Sequence, residues 1–366
     1  MSMKDNHDYQ LSVIVPVYNG EQYIECCMNS LFSQSIRIPQ IILVDDGSTD
    51  ASPQICDNYR KYDNVKVIHK KNEGLGYARN TGIEEAKFEY IGFVDIDDEI
   101  ESNMYEDMLK YMQQTNASLV CCDILVVDKP LKREYELRQN FEERLYQGKE
   151  VQELIVKPLL GFTEKNVDSI SSSCSKIFRK SVIDKNKLKF SNRTHGEDYQ
   201  FLLEYLAVSP SIAFLHKTLY HYVHHSHHSL VTKFRKDYFE TSVRSRLLME
   251  SIYPNLFWGG YDKVLEWNNI VYDAAIYYRL HCKGALLYSI LKDMIPICSQ
   301  YRLFTRYIER MGKSEKKNFF ELQSSLSNSE KFCKLLMRIT YSKYVKEKAK
   351  GNIRKLLRYI KYYITK

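Results

Sequence analysis

The chain has 366 residues, 44% hydrophobic and 27% charged, with 8 prolines and 14 glycines, an ordinary globular balance that argues against disorder. Its nine cysteines include the adjacent pairs Cys26–Cys27 and Cys121–Cys122 and no repeated Cys-x-x-Cys, which argues against a disulfide framework or zinc ribbon and suits reduced thiols in a cytoplasmic protein. The net charge of +7 is uneven: residues 331–366 hold twelve Lys or Arg against one acid, Glu347, so the remainder is mildly acidic.

MSMKDNHDYQ is polar and does not read as a signal peptide, and no stretch approaches the roughly 20 apolar residues that span a bilayer. LSVIVPV (11–17) predicts a strand buried on both faces. Ile24, Cys27, Met28 and Leu31 follow at helical spacing. QIILVDD (40–46) predicts a second strand, and Thr49 or Asp50 ahead of Pro53 a helix start. VKVIH (65–69), EYIGFVD (89–95) and SLVCCDILVV (118–127) are the next strands. Between them run helical faces built on Leu75, Ala78, Gly82, Ile83 and Ala86, and on Tyr105, Met108, Leu109 and Met112. This alternation predicts right-handed βαβ units and an α/β fold with a mostly parallel sheet flanked by helices.

Residues 128–150 are highly charged and read as a surface excursion. SIAFLHKTLYHYV (211–223) predicts a further strand, and from about 236 the pattern is helical. The expected organisation is one domain over 10–235, with halves near 10–125 and 126–235, followed by a helical C-terminal region over 236–366.

Ligands of parallel sheets bind at the carboxyl ends of the strands. There lie VDDGSTD (44–50) and VDIDDE (94–99), with Asp45, Asp46, Asp95 and Asp97. Either acidic pair alone is an ordinary cap or turn former. Together, carboxylates two residues apart can share a hard divalent cation that keeps positions for substrate phosphates. A third acidic site is HGEDYQF (195–201). Its Glu197 and Asp198 either complement a helix dipole or supply a general base, and spacing alone does not separate the two.

In order and spacing, SVIVPVYNGEQYI, ILVDDGSTD, NEGLGYARNTGI, YIGFVDIDDE and GEDYQF resemble the family-2 inverting glycosyltransferases. The likeness covers roughly residues 10–230 and implies a GT-A fold. It further implies transfer of a sugar from a nucleotide-diphosphate sugar, a UDP-sugar by expectation, to a hydroxyl of a glycan or lipid-linked glycan in surface polysaccharide synthesis. By the same resemblance Pro16, Val17, Tyr18, Asn19 and Asp46 hold base and ribose, with Asp45 a second candidate. Arg79 and Asn80 line the nucleotide pocket, where a basic group suits the diphosphate. Asp95-Ile96-Asp97 matches the D-x-D motif, with Asp97 the main ligand of a Mn²⁺ or Mg²⁺ ion, Asp95 beside it and Asp98 assisting. Asp198 is the expected base, and Glu99 is read as the start of the next helix. Rival readings are a non-catalytic partner subunit of the same fold and a nicotinamide dehydrogenase. The second is disfavoured because GLGYAR (74–79) lacks the third glycine of a dinucleotide fingerprint and reads as a helix start.

HYVHHSHHSL (221–230) contains five histidines. Neighbouring residues of an extended segment face opposite ways, so it reads as a strand end and loop rather than a zinc site, with one His near the diphosphate as the functional variant. In the tail, Phe332, Leu335, Leu336 and Ile339 form one stripe and Ile353, Leu356, Leu357, Ile360 and Ile364 another, beside Arg354, Lys355, Arg358 and Lys361. Such a helix either packs on the body or lies on the anionic inner face of the plasma membrane. Nucleic acid is not expected as a partner, because no binding motif accompanies the basic excess.

Overall fold

The structure, a computed structural model, describes residues 10–160, 170–191, 196–225 and 236–253, with isolated positions beyond. The tail stripes, apart from Leu336, and the histidines at 227 and 228 lie outside the described residues. The chain forms two compact units, Met1–Lys233 and Phe234–Lys366.

The first unit is built on a ten-stranded sheet. β1 (Leu11–Val17) and β2 (Gln40–Asp45) are buried along their whole length, as continuous apolar runs covered on both faces must be. β1 runs parallel to β2 and to β4 (Tyr90–Phe93), and β2 parallel to β3 (Val65–His69). α1 (Ile24–Phe32) buries Ile24, Cys27, Met28 and Leu31, the expected helical face. α2 (Ser52–Asp57) begins later than expected: its N-cap is Ala51, while the Asp50 carboxylate accepts the Ser52 N–H at 3.0 Å. A 3-10 turn, Asn58–Lys61, leads from it toward β3.

α3 (Leu75–Glu85) lies against β1 and β2. Gly82 permits that approach, since a Cβ there would stand 2.3 Å from the Ile14 side chain, and Gly76 lets the 190–191 segment close on the helix, a Cβ there standing 2.3 Å from the Ser191 carbonyl. The sequence GLGYAR is thus a helix start, as read.

Beyond β4 the sheet becomes mixed. β9 (Lys176–Arg179) inserts antiparallel between β4 and β6 (Leu119–Asp128), and β6 runs parallel to β10 (Ser211–His224). The charged excursion is itself sheet: β7 (Arg133–Leu137) pairs with β6, and β8 (Leu145–Gln147) with β10. The charges of β7 suit an edge strand, where Lys, Arg and Glu discourage pairing with other chains. Glu99 also departs from expectation. It belongs to the two-residue β5 (Glu99–Ile100), antiparallel to β10, and α4 starts only at Met104 (Met104–Thr115).

A π-helical turn, Val151–Val156, runs into the single turn α5 (Lys157–Leu159). α6 (Lys180–Asn186) follows β9, and α7 (Glu197–Val208) precedes β10. In the second unit α8 (Tyr238–Ile252) buries Phe239, Val243 and Met249. Among the described residues no helix is long and apolar enough to cross a membrane.

Candidate active site

The carboxyl ends of β1, β2 and β4 and the first turn of α7 bring most of the expected residues to one edge of the sheet. Pro16 and Val17 are still strand, and the Val17 side chain is buried. Tyr18 is the outward residue, 53% exposed. Asn19 adopts a positive φ of 48°, tolerable for asparagine, and ties the first loop to the second. Its N–H donates to the Ser48 hydroxyl at 3.0 Å, and its side-chain oxygen accepts the Thr49 N–H at 2.7 Å.

Asp45 and Asp46 are both buried and both engaged. The Asp45 carboxylate accepts the Ser48 N–H at 3.0 Å and lies 2.9 Å from His69 Nδ1. The Asp46 carboxylate accepts Lys70 Nζ at 2.8 Å and the Gly74 N–H at 2.7 Å. The end of β3 therefore supplies a basic partner for each acid at the end of β2. His69 also meets Asp57 at 3.1 Å, and these two carboxylate hydrogen bonds raise its pKa above 6.5.

Arg79 does not face an open pocket. Its side chain is fully buried and distributes its guanidinium over three acids: Asp95 at 2.8 Å, Asp198 at 2.6 Å and Glu197 at 3.3 Å. Asn80 is likewise committed inward, exchanging two 2.8 Å hydrogen bonds with the backbone of Phe190. Phe190 stacks on Phe201 with centroids 4.0 Å apart, and Arg79 lies 5.4 Å from the Phe190 ring. The charge cluster thus rests on an aromatic layer, where ions are poorly solvated and need close partners. The guanidinium expected beside a diphosphate is directed at these three acids.

Three acids for one arginine leave the cluster short of positive charge. Burial, with Asp198 next to it, pushes Glu197 up to about 7 despite Arg79. Burial also raises Asp198, opposed by Arg79. Asp198 keeps 22% of its side chain exposed, against 9% for Glu197, so it is the acid presented outward.

In the 95–98 stretch the acids separate. Asp95 leans on Arg79. Asp98, expected to assist a metal, is instead buried: its carboxylate accepts the Tyr220 hydroxyl at 2.6 Å and the Val223 N–H at 2.8 Å, fastening the turn to β10. Asp97 is exposed, yet crowding on its protein side and the charge of Asp95 push its pKa up to about 6. A carboxylate raised in this way is relieved by an added positive charge. Hard oxygen donors on Asp97 and Asp95 fit Mg²⁺ or Mn²⁺, with the remaining positions left to phosphate or water. Among the described residues no three His, Cys, Asp or Glu side chains form a metal cage of their own.

Several residues at this edge were not singled out by sequence. His225 Nε2 lies 2.8 Å from the Asp97 carbonyl, and its ring is 4.2 Å from that of Tyr23. The histidine run was a signal for the first, whereas nothing marked Tyr23 or Tyr220. Lys176, fully buried, faces the Ser172 carbonyl at 2.5 Å.

Comparison with known proteins gives consistent results. Residues 12–186 match the family model described as glycosyl transferase family 2. The glycosyltransferase GlyG of Streptococcus pneumoniae is 32% identical over 232 residues, which is 61% of this chain and 74% of GlyG. EpsH of Bacillus subtilis, a glycosyltransferase by name, is 36% identical over 64% of this chain, and the match spans 66% of its own length, just under two thirds. Among solved structures, S. aureus TarS 1–349 in complex with UDP-GlcNAc has a TM-score of 0.55 at 19% identity, covering 91% of this chain and 92% of that one. That likeness shows the same α/β architecture.

Proposed function

The chain belongs to glycosyl transferase family 2, and from this premise we propose that it transfers a sugar from a UDP-sugar to a hydroxyl of a glycan or lipid-linked glycan, with inversion at the anomeric carbon. The observation that carries this reading is the junction at Arg79, which joins the strand-end acid Asp95 to the helix-start acid Asp198 in one buried contact. A donor site and an acceptor base must be neighbours for direct displacement, and these two acids touch the same guanidinium. UDP-GlcNAc bound to the TarS structure supports a uridine nucleotide as donor.

In this reading Tyr18, Asn19 and the loop after Asp45–Asp46 receive the nucleoside. Asp97, with Asp95, would hold a divalent cation, whose charge stabilises the diphosphate leaving group. Asp198 takes the proton from the acceptor hydroxyl as it attacks, and its raised pKa suits a base working near neutral pH. Attack from the face opposite the leaving group inverts configuration in one step, by the stereochemical logic of inverting hydrolases. Arg79 holds Asp198 and Asp95 at a fixed separation throughout. The product belongs to surface polysaccharide, made at the cytoplasmic face of the membrane, with residues 331–366 as the basic surface anchor.

A panel of UDP-sugars with Mn²⁺ or Mg²⁺ tests this reading, scored by thermal shift and by donor hydrolysis. At least one donor should stabilise the protein in a metal-dependent way and be cleaved. Binding without cleavage or transfer would support a non-catalytic partner subunit, and no binding by any nucleotide sugar would overturn the proposal.

A further inference from the structure

The acids of the 95–98 turn stand on a stretch that is neither helix nor strand, so no backbone ladder of its own fixes their spacing. What holds the turn comes from β10. The Tyr220 hydroxyl donates to the Asp98 carboxylate at 2.6 Å and accepts the Asp95 N–H at 3.3 Å. One buried side chain thus grips both ends of the turn, which the Asp98 N–H closes by donating to the Asp95 carbonyl at 3.0 Å.

The neighbouring contacts lead back to the same strand. The Val223 N–H donates to the second Asp98 oxygen at 2.8 Å, and His225 Nε2 lies 2.8 Å from the Asp97 carbonyl. Just beyond the turn, Ile100 pairs with Tyr220 and Glu99 with His221, and the Glu101 N–H donates to the Leu219 carbonyl at 2.9 Å. Ahead of it, the Val94 N–H donates to the Ile14 carbonyl at 3.1 Å. A buried carboxylate is costly unless it is hydrogen-bonded. Both oxygens of Asp98 are taken, so this acid is closed to a cation and serves as the link between Tyr220 and the turn.

Asp97 and Asp95 remain as the outward carboxylates. Asp97 is exposed, and Asp95 keeps 29% of its side chain exposed with one oxygen on Arg79. Oxygen ligands meet Mg²⁺ at about 2.0–2.1 Å and Ca²⁺ at about 2.3–2.6 Å. Two carboxylates held at a fixed spacing discriminate between such ions, whereas a loose pair adjusts to either. Partners that orient a ligand from behind change metal affinity by about 10–100-fold when removed.

We propose that Tyr220, acting through Asp98 and the Asp95 backbone, is a positioning residue that fixes the spacing of the Asp95 and Asp97 carboxylates and so favours Mn²⁺ or Mg²⁺ over the larger Ca²⁺. The proposal rests on the reading of Asp97 and Asp95 as cation ligands and assigns the selectivity of that site to a residue that touches no metal.

The test titrates Mn²⁺ and Ca²⁺ separately into the full chain with saturating UDP and reads each midpoint from the thermal shift, with UDP binding in EDTA measured alongside. The wild type should respond to Mn²⁺ at a concentration about tenfold or more below that for Ca²⁺. Tyr220→Phe should raise the Mn²⁺ midpoint about tenfold, move the Ca²⁺ midpoint far less, and leave UDP binding in EDTA unchanged. Tyr205→Phe is the matched control, because that buried hydroxyl makes an equivalent pair of bonds elsewhere, donating to the Ser118 carbonyl at 2.6 Å and accepting the Arg179 N–H at 3.1 Å. It should lose stability yet keep both midpoints. Should Tyr220→Phe fail to fold, Asp98→Asn decides: it keeps the shape of the side chain but offers one oxygen to two donors, and should narrow the preference for Mn²⁺ in the same way. An unchanged preference in the deciding variant, equal narrowing in Tyr205→Phe, or a wild type that takes both metals alike overturns the proposal and leaves the cation reading standing. A wild type that UDP stabilises but neither metal affects overturns the cation reading, and this inference with it.

Discussion

Arg79 and Asp198 are 119 residues apart in sequence and 2.6 Å apart in space. Their contact crosses from the helix after β3 to the helix before β10, and with Asp95 it makes a single buried charge cluster. Removing the arginine takes from these acids the cation they share, a loss that costs up to about 3–5 kcal/mol for fully buried pairs. Arg79→Met should lower stability to urea by that order, and adding Glu197→Gln should recover part of it. A single variant as stable as wild type would show that the cluster is not held as described.

Asp198 carries the proposed proton transfer. Asp198→Asn should lower turnover about 10²–10⁴-fold while leaving UDP-sugar binding intact, as read by thermal shift. Because burial raises its pKa, the acidic limb of kcat/KM should lie above the ordinary aspartate range. Unchanged turnover in Asp198→Asn would assign the base elsewhere.

Asp97 should trade stability for binding. Its folded pKa is raised to about 6 from 3.8, so the folded state holds a proton that the unfolded chain gives up. Stability from this group is present below pH 3.8 and is lost as pH rises toward 6 and beyond. In EDTA at pH 8, Asp97→Asn should therefore melt higher than wild type, by about 1–2 °C, and should lose the stabilisation that Mn²⁺ with UDP gives the wild type. A lower melting point in the metal-free variant contradicts the electrostatic account.

His69 gives the opposite sign. Hydrogen bonds to Asp45 and Asp57 raise its pKa above 6.5, so its protonated form stabilises the fold. That contribution is complete below pH 6.5 and is lost as pH rises through the folded value. The difference in melting temperature between wild type and His69→Gln should be largest below pH 6.5 and fade as the pH rises through the raised folded value. A difference independent of pH would point to packing rather than charge.

Much of the first unit was legible because its strands are continuous apolar runs and its helices carry regular buried faces. The acids after β2 and β4 could be assigned to a binding edge from topology alone. Sequence could not reveal how those acids are spent. Arg79 reads as a base for the diphosphate, with nothing in its local sequence to announce the three acids it meets, and Asp98 reads as an assisting ligand until Tyr220, 122 residues later, claims it. β9 is four residues long and gains its identity only by inserting between two strands distant in sequence. β7 hid its sheet character behind the charges an edge strand carries, and β8, three residues long, was too short for a strand pattern to show.

The loops after β1 and β2 are stitched together by more than Asn19. The Gly20 N–H donates to the Ser52 hydroxyl, the Glu21 N–H to Asp50, and the Ala51 N–H to Glu21, all between 2.8 and 3.1 Å. With the two Asn19 bonds, these leave neither loop able to swing without dragging the other. On the proposed reading, in which these loops receive the nucleoside, that part of the site is set before any donor arrives. Discrimination among bases would then come from fit to a fixed outline, and accommodation of different sugars and acceptors would fall to the residues where α7 begins and β10 ends.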